Sequence, residues 1–131
     1  MKNSIYTVIL VILIAFGMTA YAEAASKKDA RMEFKESVYD FGDVSVARGK
    51  VSHEFTFVNT GGKNLTIKGA TADCGCTKPE YSDEPVGPGK SGKVKVTFVP
   101  NGRGHFSKKV TLRTNGNPGK VRLVIKGTMV P

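Results

Sequence analysis

Apolar and polar side chains alternate in short runs along most of this chain. In the clearest run, residues 51–58, every second side chain falls on one face: Val51, His53, Phe55 and Phe57. A period of two is typical of a β-strand with one side in the core. Similar runs at residues 65–68, 93–98, 105–114 and 120–129 predict further strands, and residues 32–35 and 38–41 predict two short strands or one broken strand.

Turn-forming residues separate these runs, and the chain after residue 22 shows no helical period over three turns. Pro88-Gly89 suits a type II turn, and prolines at positions 79 and 85 are expected to interrupt a ladder before Lys93. About seven short strands with one apolar face each need two sheets packed face to face. The sequence therefore predicts an all-β fold, an immunoglobulin-like β-sandwich. The absence of tryptophan and of a distant cysteine pair excludes the antibody variety.

The first residues have the organisation of a secretory signal peptide. Lys2 gives a positive start, residues 8–16 are an unbroken apolar run, and small residues at positions 20, 22, 24 and 25 offer two A-x-A cleavage sites. An uncleaved anchor over residues 5–22 is the alternative, but its strongly apolar part is short for a bilayer span. We expect a signal peptide at 1–22, a flexible leader at 23–30 and one folded domain at 31–131. The mature protein is expected to be periplasmic or secreted, without stable membrane insertion.

Basic residues dominate the last third of the chain. The formal net charge is +9, and no acidic residue follows Glu84. Seven cations lie on the outward phase of the last three predicted strands: Lys93, Lys95, Lys109, Arg113, Lys120, Arg122 and Lys126. If those strands are neighbours, the cations form one anion-binding patch for an anionic envelope component or an acidic protein. Nucleic acid does not fit the expected compartment, and the plainer alternative is a solvated strand face that lysine keeps from aggregating.

Cys74 and Cys76 are the two cysteines of the chain, with a single glycine between them. The glycine permits the bend that brings two cysteines so close in sequence within disulfide distance. An oxidising compartment favours a small loop disulfide that acts as a local clamp. The alternatives are two inert thiols, a thiol-exchange site, or a Cu(I) site with His53, His105 or Met129 as third donor. The sequence displays no set of four zinc ligands, so we expect no metal and no cofactor.

The sequence lacks the residue patterns of common catalytic sites. It contains no Ser-His-Asp order, no paired carboxylates and no glycine-rich phosphate loop, since most of its glycines lie in turns between predicted strands. His53 shares the inward phase with apolar side chains, which indicates a packed core or edge histidine, and His105 falls on the outward phase. The sequence therefore predicts no catalytic residue and a protein that is not an enzyme.

Five motifs occur in a fixed order along the chain: Phe41-Gly42-Asp43-Val44, His53-x-Phe55-x-Phe57-x-Asn59-Thr60-Gly61, Cys74-Gly75-Cys76-Thr77, Pro88-Gly89-x-x-Gly92 and Gly104-x-Phe106. In this combination the chain resembles a family of small exported bacterial domains of unknown function built round a Cys-Gly-Cys-Thr motif. The fold of that family is similar to the Hydin-type and major-sperm-protein-type immunoglobulin-like domains. The resemblance covers residues 32–130 and implies a β-sandwich outside the cytoplasm, with no activity established.

The function predicted from these features is that of an exported, non-catalytic binding or structural module of the cell envelope, with Cys74 and Cys76 in a loop disulfide. The alternative is a thiol-redox or Cu(I)-handling protein that uses the same two residues. Replacement of both cysteines by serine separates the two hypotheses. The first predicts a modest loss of stability with binding retained, and the second predicts loss of activity with the fold intact.

Overall fold

Eight strands carry most of the regular structure in residues 28–131, the part of the chain that the computed structural model describes. They are β1 (Met32–Phe34), β2 (Val38–Ser45), β3 (Val51–Asn59), β4 (Ile67–Ala72), β5 (Thr77–Tyr81), β6 (Ser91–Phe98), β7 (Gly104–Thr114) and β8 (Lys120–Val130), with one 3-10 turn at Val46–Arg48. No helix in this part of the chain is long and apolar enough to span a membrane. The signal peptide predicted at 1–22 and most of the leader predicted at 23–30 lie outside the described residues.

The strands form two four-stranded sheets that pack face to face. The first sheet has the order β1-β3-β6-β5 and is antiparallel throughout. The second sheet has the order β2-β8-β7-β4, in which β2 runs parallel to β8 and the other pairs are antiparallel. The all-β sandwich predicted from the alternating pattern is therefore confirmed.

The inward side chains of both sheets meet in one apolar core. Phe55 and Phe57 of β3 are 0% and 2% exposed, in agreement with their common phase in the sequence. Phe98 of β6 stacks on Phe106 of β7 with ring centroids 4.2 Å apart, which joins the two sheets. Other buried apolar side chains are Val44, Ile67, Val94, Val96, Val110, Leu112, Leu123 and Ile125. Burial of each large side chain contributes on the order of 1.5 to 3 kcal/mol to folding.

Strand β5 contradicts the expectation that Pro79 interrupts the ladder. Thr77–Tyr81 pairs along its whole length with β6, and Pro79 lies opposite Val96. Because β5 is at the edge of its sheet, it pairs on one side only, and Pro79 need not donate a ladder hydrogen bond. A proline in an edge strand also hinders pairing with another chain.

The side chain of Asn59 connects segments that the strand pattern leaves apart. It is fully buried, and its Oδ1 accepts hydrogen bonds from the backbone N–H groups of Arg31 and Gly61 at 3.1 and 3.0 Å. Its Nδ2 donates to the carbonyl oxygens of Lys63 and Val86 at 2.7 and 2.9 Å. The amide therefore satisfies four backbone groups and ties the start of the domain, the turn after β3 and the segment before β6 together.

Candidate functional site

The cysteine loop, residues 73–76, carries the chain from the second sheet to the first between β4 and β5. Cys74 and Cys76 are joined by a disulfide, with their Cα atoms 5.3 Å apart. This separation is within the range of protein disulfides. Both cysteines are half-buried, and Cys76 packs against the core. The placement fits a local clamp at the crossing between the sheets.

Hydrogen bonds also hold the cysteine loop to both sheets. The N–H of Asp73 donates to the carbonyl of Lys109 at 3.2 Å, and Asp73 Oδ2 accepts from the N–H of Lys109 at 2.9 Å. Towards the first sheet, the carbonyl of Cys76 accepts from the N–H of Val99 at 2.8 Å. The hydroxyl of Thr77 is 3.8 Å from each sulfur atom. These contacts hold the loop together with the disulfide, so loss of the sulfur bridge alone is expected to leave the loop in place.

The two histidines are engaged away from the cysteine loop. His53 stacks on Tyr39 with ring centroids 3.5 Å apart, and its Nε2 is 2.7 Å from Oε1 of Glu36. His105 Nδ1 is 2.9 Å from the hydroxyl of Thr128. Within residues 28–131, no three His, Cys, Asp or Glu side chains are grouped as metal ligands. His53 therefore has the packed edge environment that its inward phase indicates, and neither histidine is placed as a third donor to Cu(I).

The seven cations proposed as an anion site are divided between the two sheets. Lys93 and Lys95 lie on β6 in the first sheet, whereas the other five lie on β7 and β8 in the second. The outward sides of two packed sheets point in opposite directions. A single patch of all seven cations is therefore excluded, and the candidate set is reduced to Lys109, Arg113, Lys120, Arg122 and Lys126.

Carboxylates accompany the two cations of β6. Lys93 Nζ is 3.7 Å from Oε2 of Glu54. In the sheet register, Lys95 lies between Glu54 of β3 and Glu80 of β5. An anion that approached these lysines would also meet the two carboxylates. Lys93 and Lys95 are therefore better suited to control variants than to binding.

The outward side of β7 and β8 is here named the basic face. Its five exposed cations, Lys109, Arg113, Lys120, Arg122 and Lys126, make no ion pair with any residue from 28 to 131. In the register, Arg113 of β7 lies directly opposite Lys120 of β8. Like charges in this relation destabilise a sheet. Local arrangements that lower stability, without a compensating contact in the fold, are expected at functional sites.

The charge of the basic face is uneven along its length. Asp40 of β2 and Asp73 of the cysteine loop lie beside one half of it, next to Lys126 and Lys109. The other half, near the β7–β8 turn, has only cations, threonine and glycine as cross-strand neighbours. It also adjoins exposed Lys68, which stands at an irregularity in β4 between its pairings with β7. The alternating pattern did not place Lys68 beside these cations, because one inserted residue shifts the phase of the strand. The glycine at position 69 was the sequence signal for such an irregularity.

Comparison with known proteins places the chain in a family. Residues 32–129 match the model of the family described as "Protein of unknown function (DUF1573)". The chain belongs to the DUF1573 family. The resemblance inferred from the five sequence motifs is thereby confirmed. No curated protein sequence matches the chain.

Solved structures show which fold this DUF1573 domain has. It superposes on a protein of unknown function from Porphyromonas gingivalis W83 with a TM-score of 0.68 and 15% identity, over 79% of this chain and 48% of that one. It superposes on the ASH/PapD-like domain of human CEP192 with a TM-score of 0.63 and 12% identity, over 78% and 87% of the two chains. The Vibrio cholerae VesB protease matches with a TM-score of 0.59 and 17% identity, over 87% of this chain and 35% of the protease. At these identities the likeness concerns the fold alone, and the PapD-like match agrees with the predicted immunoglobulin-like sandwich.

Proposed function

We propose that this DUF1573 domain is a non-catalytic binding module of the cell envelope, whose basic face binds an anionic envelope component or an acidic protein. The observation that carries the proposal is the basic face itself, five exposed cations on two neighbouring strands that lack ion pairs in the described part of the chain. The signal-peptide pattern of residues 1–22 supports a periplasmic or secreted location. In that compartment the available anions are acidic polysaccharides, phosphorylated lipid headgroups and acidic proteins.

A binding role also fits the shape of the surface. The depressions beside Glu54 and beside Lys126, of 330 and 310 Å³, are open and lined mainly by polar side chains. Enzyme pockets, in contrast, enclose most of a small ligand and gather a few convergent polar groups among apolar ones. A flat, charged sheet face presents its cations to an extended partner instead.

Electrostatic binding makes a specific prediction about salt. Exposed charges are screened over about 10 Å at 0.1 M ionic strength. The affinity of the domain for a fluorescently labelled heparin oligosaccharide should therefore fall steadily as salt rises from roughly 0.05 to 0.5 M. Neutral dextran of equal length should not bind. Fluorescence anisotropy measures both interactions.

Charge reversal on the two sheets tests where the anion binds. The double variant Lys109→Glu, Arg122→Glu should lose at least about tenfold in heparin affinity, since each cation near an anionic surface contributes about 1 kcal/mol. The matched variant Lys93→Glu, Lys95→Glu has the same change in net charge on the opposite sheet and should bind within about twofold of the parent. Equal losses in the two variants, or affinity that salt does not change, would contradict the proposal.

The thiol-redox or Cu(I)-handling alternative uses Cys74 and Cys76, and the same assay addresses it. It is favoured by the half-exposed position of the disulfide and by the Thr77 hydroxyl near both sulfur atoms. The variant Cys74→Ser, Cys76→Ser should retain heparin affinity. Its free energy of unfolding should fall by only about 1 to 2 kcal/mol, because the disulfide closes a very small loop. Loss of thiol-exchange activity or of Cu(I) binding in this variant, with the fold intact, would favour the alternative.

A further inference from the structure

The guanidinium of Arg113 fills a space on the basic face that a glycine leaves open. It lies across β4, over Gly69: a Cβ built on Gly69 would collide with Nη2 and come within 3.2 Å of Cζ and 3.3 Å of Nε. Gly69 is buried under this side chain, whereas Arg113 itself is exposed. No carboxylate of residues 28–131 pairs with it. The missing side chain at position 69 thus leaves room for an exposed guanidinium that has no ion-pair partner among residues 28–131.

Three further cations lie close to Arg113 in the sheet register. Lys120 is its direct cross-strand neighbour on β8, and Arg122 stands in the next outward row of the same strand. Lys68 stands beside it at the irregularity in β4. Directly opposed residues are separated by about 5 Å and successive outward residues of one strand by about 7 Å. Lys68, Arg113, Lys120 and Arg122, here named the arginine cluster, are therefore close enough to contact one anionic group and its neighbour.

We infer that the arginine cluster is the site at which an anionic substituent of a linear acidic polysaccharide binds, an inference that rests on the proposed function. Arg113 is the anchoring residue. A guanidinium offers a planar fork of two parallel N–H bonds to one oxyanion, which the point charge of lysine does not. Lys68, Lys120 and Arg122 supply the surrounding positive field, and Gly69 positions the fork by leaving space beneath it.

The form of the basic face favours a polysaccharide over the other anions. Its outward rows, from Arg113 to Ser107 on β7 with their partners on β8, extend over about 20 Å, and every row contains at least one cation. Hydroxyl side chains such as Thr111 stand between the cations and suit the hydroxyl groups of sugars. Among the described residues, Val38 and Val99 are the exposed large apolar side chains. Val38 borders the basic face at one position, opposite Val124 of β8, and β7 and β8 themselves expose no large apolar side chain. A membrane-binding face or a protein interface would be expected to expose aromatic or large aliphatic anchors.

Two substitutions that preserve charge test the site. Gly69→Ala displaces the guanidinium, and because the displaced group is the end of a flexible side chain, the fold is expected to be retained. Arg113→Lys keeps the charge and removes the fork. Each should weaken binding of a size-defined heparin oligosaccharide about tenfold, the value of one bidentate pair. Gly87→Ala, at a glycine between β5 and β6 where an added Cβ would make ordinary contacts of 3.7 to 3.9 Å, is the control and should bind like the parent.

The outcomes separate this inference from the proposed function. If Gly69→Ala and Arg113→Lys bind like the parent while Lys109→Glu, Arg122→Glu loses affinity, Arg113 does not anchor the anion, so the inference is refuted and the basic face remains. If no basic-face variant changes binding, both fail. Two other anions are compared with the oligosaccharide at equal anion concentration. One is a vesicle that contains phosphatidylglycerol, and the other is a polyglutamate peptide. Tighter binding of either than of the oligosaccharide would overturn the assignment to a polysaccharide.

Discussion

Replacement of Asn59 by leucine is expected to lower the free energy of unfolding by about 3 to 5 kcal/mol. The Asn59 side chain is 0% exposed and makes hydrogen bonds to the backbone of Arg31, Gly61, Lys63 and Val86. Leucine has a similar size but leaves these four groups without their partner, and each buried polar group left unpaired costs about 1 to 3 kcal/mol. Water molecules that hydrogen-bond to some of these groups reduce the summed cost to about 3 to 5 kcal/mol.

Denaturant unfolding followed by far-ultraviolet circular dichroism measures this effect, because the chain has no tryptophan for fluorescence. Asn101→Leu is the matched control, since Asn101 is an exposed loop residue. We expect a change of about 0.5 kcal/mol or less there. A loss below about 1 kcal/mol in Asn59→Leu would show that the buried amide is not a main connection of the domain.

Replacement of Gly61 by alanine is expected to cost about 2 to 4 kcal/mol in the free energy of unfolding. A Cβ at this position would lie 2.7 Å from the Cα of Ala30 and 2.7 Å from the N of Arg31. These are backbone atoms held by hydrogen bonds from Thr60 N–H to the Arg31 carbonyl and from Gly62 N–H to the Asp29 carbonyl, both 2.9 Å long. Overpacking of this kind costs about 1 to 3 kcal/mol, and displacement of residues 29–31 costs about 1 kcal/mol more for each hydrogen bond broken.

The control for this substitution is Gly119→Ala, where the added Cβ would make ordinary contacts of 3.6 and 3.7 Å with carbonyl oxygens. We expect its midpoint of denaturation to match that of the parent closely. Should Gly61→Ala unfold at the same denaturant concentration as Gly119→Ala, the packing of residues 29–31 against the turn after β3 would not contribute to stability.

The alternating pattern predicted the faces of the strands but not their neighbours. Phe55 and Phe57 are buried as their common phase requires, because a period of two alone decides which side chains point inward. Which strand lies beside which depends on contacts between distant parts of the chain, so the separation of β6 from β7 was not visible. For the same reason the strand at Thr77–Tyr81 was missed: Pro79 is unfavourable in a central strand and harmless at an edge.

The candidate site was predictable to a similar extent. The outward phase of Lys109, Arg113 and Arg122 followed from the sequence, since charged residues on regular strands keep the period. Only the sheet order shows that Lys93 and Lys95 do not belong to the basic face. The hydrogen bonds of Asn59 could not be predicted from the alternating pattern either. In the sequence this residue belongs to a turn motif, and its partners lie as far as 28 positions away.

The cysteine loop and the basic face are neighbours through Lys109, yet the proposed function assigns them different roles. The loop crosses between the sheets and is fixed by the backbone hydrogen bonds of Asp73 and Cys76. The basic face supplies cations that form no ion pair within residues 28–131. Because the fold of the solved relatives at 12 to 17% identity says nothing about a partner, the function has to be established on the face itself.

Backbone amide chemical-shift mapping with the heparin oligosaccharide locates the bound anion on the surface of the domain. Resonances of the ¹⁵N-labelled protein are compared before and after addition of the probe at low salt. We expect the largest shifts at Arg113, Lys120 and Arg122, smaller ones along the rest of β7, β8 and β4, and none on β3 and β6. Largest shifts on the first sheet, or at residues 73–76 of the cysteine loop, would contradict the proposal.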